Sequence, residues 1–338
     1  MALPVAGLMY GTFRIQDSHV KTKDVVRLKY GEWWDEIGEK ESRERHAVNV
    51  KACLDAVEYH NREKRPLNIL LIHGSGRSSF NSSAKELSNS QLLLRSAVEP
   101  WRRNPKFEIT EIALREYNVE PCEGCYSTSS ALCGFPCNCF PWDPMQKLYP
   151  LVLKCDAMLC STGVNQSAMS SRLKLFLDRL ISLDGGFFVA PDQYESKGEA
   201  WRDKCIALST RLARAGRLHY DARMWGRSAA YFITSKDEKN SEQTIVRKFH
   251  QPLSYIELVA HSLRDGNADY GFFHDPQHWY VGAWADANEE LCYDKRYFSN
   301  HPRFLRQARV VAKAAIQLAL KLRKDPVPFD GGARKNRT

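Results

Sequence analysis

From Pro66 onward the chain alternates short apolar runs with stretches of helical periodicity, and this alternation leaves few folds open to it. Asn68-Ile69-Leu70-Leu71-Ile72-His73 is a continuous apolar run closed by Gly74. That is the pattern of a strand buried on both faces. Residues 83–98 read as a helix with Leu87, Gln91, Leu94 and Val98 on one line. Residues 107–113 read as a second strand, alternating and more exposed. Further along, helices are expected at 145–153 and 169–183, around Trp201, Cys205, Leu208 and Leu212, and at 242–263. The last helix carries Phe304, Ala308, Val311, Ala315, Leu318 and Leu322. Strands are expected at 155–161, 228–234 and 270–273. Strands separated by helices give a five-stranded parallel α/β sheet with helices on both faces. Right-handed crossovers then restrict the topology. Such sheets bind ligands beyond the strand C-termini, where strand order reverses, so the loops after strands one, three and four are the informative ones.

Residues 66–322 form the main domain in this reading, between an N-terminal extension (1–65) and a basic tail (323–338). The extension holds Trp33 and Trp34, then a charged helix with Ala47, Val50, Leu54 and Val57 on one face. That face is expected to pack on the main domain or on a partner subunit. Hydrophobic residues make up 43% of the chain and no run reaches eighteen, which gives no reason to expect a membrane span. The opening residues lack a basic stretch before a long apolar one, so the expectation is a cytoplasmic protein without a signal peptide. A net charge of +9 suits phosphate-rich cofactors as well as nucleic acid. No recognition helix or aromatic platform accompanies the charge, which argues against a nucleic-acid partner.

The first strand runs into Gly74-Ser75-Gly76-Arg77-Ser78-Ser79-Phe80-Asn81-Ser82-Ser83. Glycines let a backbone curl round an anion, a following helix N-terminus supplies free N–H groups, and arginine adds a forked cation. The segment lacks the Gly-Lys-Ser/Thr of a Walker loop and the third glycine of the dinucleotide fingerprint. It reads either as a serine-rich cap or as a phosphate cradle, and its place after the first strand favours the cradle.

The third strand leads into Ser161-Thr162-Gly163-Val164-Asn165-Gln166-Ser167-Ala168 and a helix holding Ser170, Lys174, Phe176, Asp178 and Arg179. This helix resembles the Ser-x-x-x-Lys-x-Phe-x-Asp-Arg segment of the NAD(P)H-dependent FMN reductase and iron–sulfur flavoprotein family. Gly74, Ser75 and Arg77 match that family's Gly-Ser-x-Arg loop. The resemblance covers residues 66–235 and implies a flavodoxin-like, doubly wound sheet with N-terminal and C-terminal helical extensions. It implies FMN, with its phosphate on Ser75, Arg77, Asn81, Ser82 and Ser83. The ring would lie on Thr162, Gly163, Val164, Asn165, Gln166 and Ser167. Gly163 and Asn165 stand where the family has proline and an aromatic residue. The aromatic segment 274–284, with His274 and His278, is a further source of ring contacts, or simply core and subunit interface.

Five of the ten cysteines, Cys122, Cys125, Cys133, Cys137 and Cys139, fall in one loop. Cys53, Cys155, Cys160, Cys205 and Cys292 are dispersed in apolar settings, as small core residues are. Clustered thiolates repel unless a cation neutralises them, which suits iron–sulfur clusters and zinc alike. Cys122, Cys125, Cys139, Asp143 and Met145 also fit a frame found in the family. A 4Fe-4S cluster is the first expectation, structural zinc the second, and unligated thiols the third.

The function expected is an NAD(P)H oxidoreductase that passes a hydride to FMN and electrons to a small-molecule acceptor, directly or through the cluster. The alternative is a flavodoxin-like electron carrier whose cysteine loop holds zinc. The resemblance also implies a homo-oligomer, a dimer or tetramer.

Overall fold

The computed structural model describes residues 38–76, 87–124, 133–137, 139–184, 223–235, 246–248, 251–284 and 297–329. Four strands run parallel as β1 (Leu67–His73), β2 (Phe107–Ala113), β3 (Ala157–Gly163) and β4 (Arg227–Ser235). Their order is β2-β1-β3-β4. Every residue of β1 is buried, as a central parallel strand requires, whereas β2 at the sheet edge is largely part-exposed. The chain moves outward from β1 to β2 and then returns to the other side of β1 to lay down β3. Strand order therefore reverses between β1 and β3.

The fifth position beside β4 is shared. The two-residue β7 (Phe272–Phe273) pairs with Arg227 and Ser228, and β8 (Tyr280–Trp284) pairs with Tyr231 to Ser235. The sequence pattern put the fifth strand at 270–273 alone. The larger part instead comes from the aromatic segment, in which Trp279, Val281 and Ala283 are buried. A small antiparallel hairpin, β5 (Val246–Lys248) with β6 (Gln251–Leu253), stands apart from the main sheet.

The helices are α1 (Gly38–His60), α2 (Asn89–Arg102), α3 (Met145–Lys154), α4 (Ser171–Arg179), α5 (Ile181–Asp184), α6 (Tyr255–Asp269), α7 (Tyr297–Asn300) and α8 (Pro302–Lys324). Alternate residues of the strands feed two cores. Leu70, Ile72, Met158, Cys160, Tyr231 and Ile233 pack with α1, α3, α4 and α6. Leu67, Ile69, Leu71, Leu159, Ala230 and Phe232 pack with α2 and α8. This is the two-faced burial of a doubly wound sheet.

Three helix boundaries differ from the sequence pattern. The helix expected to open at residue 83 opens at Asn89, because the Ser88 hydroxyl accepts from the Gln91 N–H and caps it there. The helix expected from residue 242 begins at Tyr255, after the hairpin, because Ser254 and Glu257 close a capping box. The helix expected over 169–183 is split between α4 and α5. The helix around Trp201 lies outside the described residues.

Helix α1 belongs to the main core rather than standing off from it, since Cys53 and Ala56 are buried there. Its inward face is His46, Asn49, Val50, Cys53 and Ala56, with Val57 partly buried against the core; of the expected line Val50 and Val57 face inward, whereas Ala47 and Leu54 are exposed. The rotation follows from two polar residues with partners to meet. His46 Nε2 lies 2.9 Å from the Pro136 carbonyl, and Asn49 donates to the Pro141 carbonyl at 2.8 Å. No described helix is long and apolar enough to cross a membrane.

Candidate functional site

The carboxyl ends of β1 and β3 lie side by side, His73 opposite Ser161. The loop after β1 starts from this edge. The Gly74 N–H donates to the Ser161 carbonyl at 2.8 Å, and the Gly74 carbonyl accepts from the Ser170 hydroxyl at 2.5 Å. A Cβ on Gly74 would stand 2.7 Å from Leu173 Cβ and 2.8 Å from Ser170 Oγ, so only glycine lets the loop leave so close to α4. Two residues on, a Cβ at Gly76 would meet nothing within 4 Å among the described residues. Ser75 is part-buried there, while Arg77, Asn81, Ser82 and Ser83 lie outside the described residues.

The loop after β3 is a tight turn. Asn165 and Ala168 exchange backbone hydrogen bonds at 2.8 and 3.0 Å. Between them Gln166 and Ser167 have φ of 48° and 65°. Two successive left-handed residues make a type I′ turn, here built without glycine. Non-glycine residues pay about 1–2 kcal/mol each in that region, and such strain gathers where a site needs a fixed shape. The Val164 N–H donates to the Thr234 carbonyl at 2.9 Å, which ties the loop to the end of β4. Asn165 and Gln166 are exposed, and Gly163, Val164 and Ser167 are half-buried. Thr162 is different. Its hydroxyl accepts from the Ser170 N–H and donates to the Gly163 carbonyl, so the side chain braces the loop from within.

The structure thus brings the start of the phosphate-type loop and the whole of the second loop to one rim, at the reversal of strand order. It does not bring the aromatic segment's histidines there as ring contacts. His274 is part-buried with Nε2 2.8 Å from the Tyr231 hydroxyl, and desolvation, aided by the charge of Arg264, lowers its pKa to about 4. His278 lines a separate cleft of about 710 Å³ with Glu257, Trp284 and Arg306.

The cysteine loop is organised by an ion pair. Asp143 Oδ2 meets Arg179 Nη1 at 2.8 Å, with both side chains 1% exposed. The same carboxylate accepts from the Glu120 and Met145 N–H groups, and Arg179 donates to the Glu120 carbonyl. The guanidinium lies over the Phe140 ring at 4.9 Å. Burial would lower the Arg179 pKa; Tyr149, Cys137 and Asp143 reverse this and hold it above its ordinary value. Gln146 donates to the Cys137 and Phe140 carbonyls. Cys133 and Cys137 are buried, Cys122 and Cys139 are part-buried, and Cys125 lies outside the described residues. Among the described residues no three or more histidine, cysteine or acidic side chains gather into a metal site. The four described cysteines of the loop, Cys122, Cys133, Cys137 and Cys139, do not by themselves form a metal-binding group. Asp143 and Arg179, noted in separate motifs of the sequence, meet here. His46 and Asn49 of α1, which carried no sequence signal for a role, hold the loop's far side.

Of the dispersed cysteines, burial pushes the thiols of Cys53 and Cys155 up to about 12 and that of Cys160 higher still. They are core residues, as their apolar settings suggest. Cys205 and Cys292 lie outside the described residues.

No curated protein sequence matches the chain. Among solved structures it is similar to RosB with a bound 8-demethyl-8-formylriboflavin-5'-phosphate intermediate. That match has 12% identity and a TM-score of 0.50 over 78% of this chain and 83% of that one. An azoreductase from Bacillus anthracis strain Sterne matches at 11% identity and a TM-score of 0.37, over 76% of this chain and 99% of that one. The likeness to RosB supports the fold. The sequence model of the NADPH-dependent FMN reductase family matches residues 67–238, half of the chain and the whole of the rim just described. The chain belongs to that family, as a flavodoxin-like, NAD(P)H-dependent flavin oxidoreductase.

Proposed function

We propose that the rim between β1 and β3 holds FMN and that the protein uses it to oxidise NAD(P)H and reduce a small-molecule electron acceptor. The observation that carries this is the Gly74 N–H to Ser161 carbonyl bond, which fixes the starts of the two loops against each other where strand order reverses. Bound there, FMN supplies the hydride acceptor and the store for two electrons. The protein's own residues bind and orient. Ser75 and Arg77, with Asn81, Ser82 and Ser83, take the phosphate. The backbone from Gly163 to Ser167 makes the ring's shelf, whose shape the type I′ turn fixes. Thr162 supports that shelf without touching the ring. Gly163, where the family has proline, leaves a backbone N–H for a ring heteroatom.

The test is FMN binding to apoprotein, followed by NAD(P)H oxidation with a quinone acceptor. Arg77→Ala is expected to weaken FMN binding about tenfold or more, the cost of a lost charge-assisted hydrogen bond. An unchanged dissociation constant in that variant contradicts the proposed phosphate site.

A further inference from the structure

Beneath the rim a hydrogen-bonded chain crosses three strands. His73, the last residue of β1, has a fully buried side chain. Its Nε2 lies 2.8 Å from Glu111 Oε1 on β2, and its Nδ1 lies 2.8 Å from Ser161 Oγ on β3. Glu111 in turn accepts from Arg95 and, at 3.1 Å, from Arg102, both on α2. Arg115, hydrogen-bonded to Gln91 of α2, adds positive charge nearby. An ionised carboxylate only accepts, so Glu111 fixes the Nε2–H tautomer and leaves Nδ1 to accept from Ser161. Serine, histidine and glutamate in this order resemble a hydrolytic triad. Ser161 is 0% exposed, however, and its backbone carbonyl is taken by Gly74, so no substrate carbonyl reaches its hydroxyl.

The chain has another use. Ser161 holds Gly74 through its carbonyl and His73 through its hydroxyl, and these are the two residues from which the phosphate-type loop departs. We infer that His73, fixed by Glu111 and Ser161, is a positioning residue that sets the departure of that loop and so tunes the site for a phosphate-bearing flavin. This rests on the FMN reading above and deepens it: the chain acts on the phosphate end of the ligand and leaves the ring shelf alone.

The experiment compares affinity for FMN and for riboflavin, which has the same ring without the phosphate. Wild-type protein is measured first and is expected to prefer FMN. Ser161→Ala and Glu111→Gln, both small changes in shape, are each expected to weaken FMN binding about fivefold, near the net worth of one hydrogen bond, with riboflavin binding unchanged. A general loss of structure weakens both ligands together, so parallel losses overturn the inference. So does an FMN preference that both variants keep in full. A wild type without any preference for FMN overturns the phosphate cradle itself, and this result is separate because it appears before any substitution is made.

Discussion

Gly74 shows how little room a single position leaves. The space a Cβ would take is already held by Leu173 and Ser170. Gly74→Ala must push β1 and α4 apart, at about 1–3 kcal/mol for overpacking. The expected outcome is a lower denaturation midpoint together with weaker FMN binding. Ser167 is the opposite case. Its φ of 65° is one that glycine adopts without penalty. Ser167→Gly is expected to raise stability by up to about 1 kcal/mol by relieving strain, while the looser turn weakens flavin binding. A urea titration and an FMN titration on the same variant check both halves. Some of this was visible in the sequence: the glycine closing an apolar run marked the loop. The left-handed turn was not, because Asn165-Gln166-Ser167-Ala168 lacks the glycine or Asn-Gly pair that normally signals one.

At the scale of elements, the cysteine loop is held between α1, α3 and α4. The Asp143–Arg179 pair is its centre, and a broken buried pair leaves an uncompensated charge. Asp143→Ala is expected to cost about 3–5 kcal/mol in chemical denaturation. The double variant Asp143→Leu with Arg179→Met is expected to recover much of that loss, because no charge then remains unpaired. Sequence periodicity located β1 to β4, α3 and α8 well, since each is buried in a regular pattern. It failed where local chemistry overrides periodicity. Ser88 and the Ser254/Glu257 box start two helices later than the apolar pattern does. In α1, polar His46 and Asn49 face inward beside Val50 and Val57, and a purely apolar template placed Ala47 and Leu54 there instead. The dense cysteines suggested a metal, whereas the described part of the loop is ordered by an ion pair and by carbonyls that accept from Asn49 and Gln146.

For the molecule as a whole, the shielded histidines and Glu111 act in one direction. Burial lowers the pKa of His73, holds that of His274 near 4 and that of His60 near 3. For Glu111 burial alone would raise the pKa, but hydrogen bonds from His73 and Arg95 hold it well below the usual carboxylate range. In each case the folded pKa lies below the unfolded one, so the unfolded chain binds more protons as pH falls. The histidine contribution is complete above about pH 6.5 and declines below it; the Glu111 contribution is complete above about pH 4.5 and declines below that. One pKa unit corresponds to about 1.4 kcal/mol, so His274 alone accounts for roughly 3 kcal/mol. Unfolding midpoints measured from pH 7 to 4 are expected to fall steadily, with less of a fall in His274→Gln. The same parallel sheet that buries His73 also sets its two loops on one rim, the place proposed for FMN.

Anaerobic mixing of FMN-loaded protein with NADPH, followed by flavin absorbance, tests that proposal most directly. Stoichiometric FMN is expected to be retained and its oxidised absorption to bleach on mixing. Protein that does not retain FMN, or retained flavin whose spectrum NADPH and NADH leave unchanged, contradicts it.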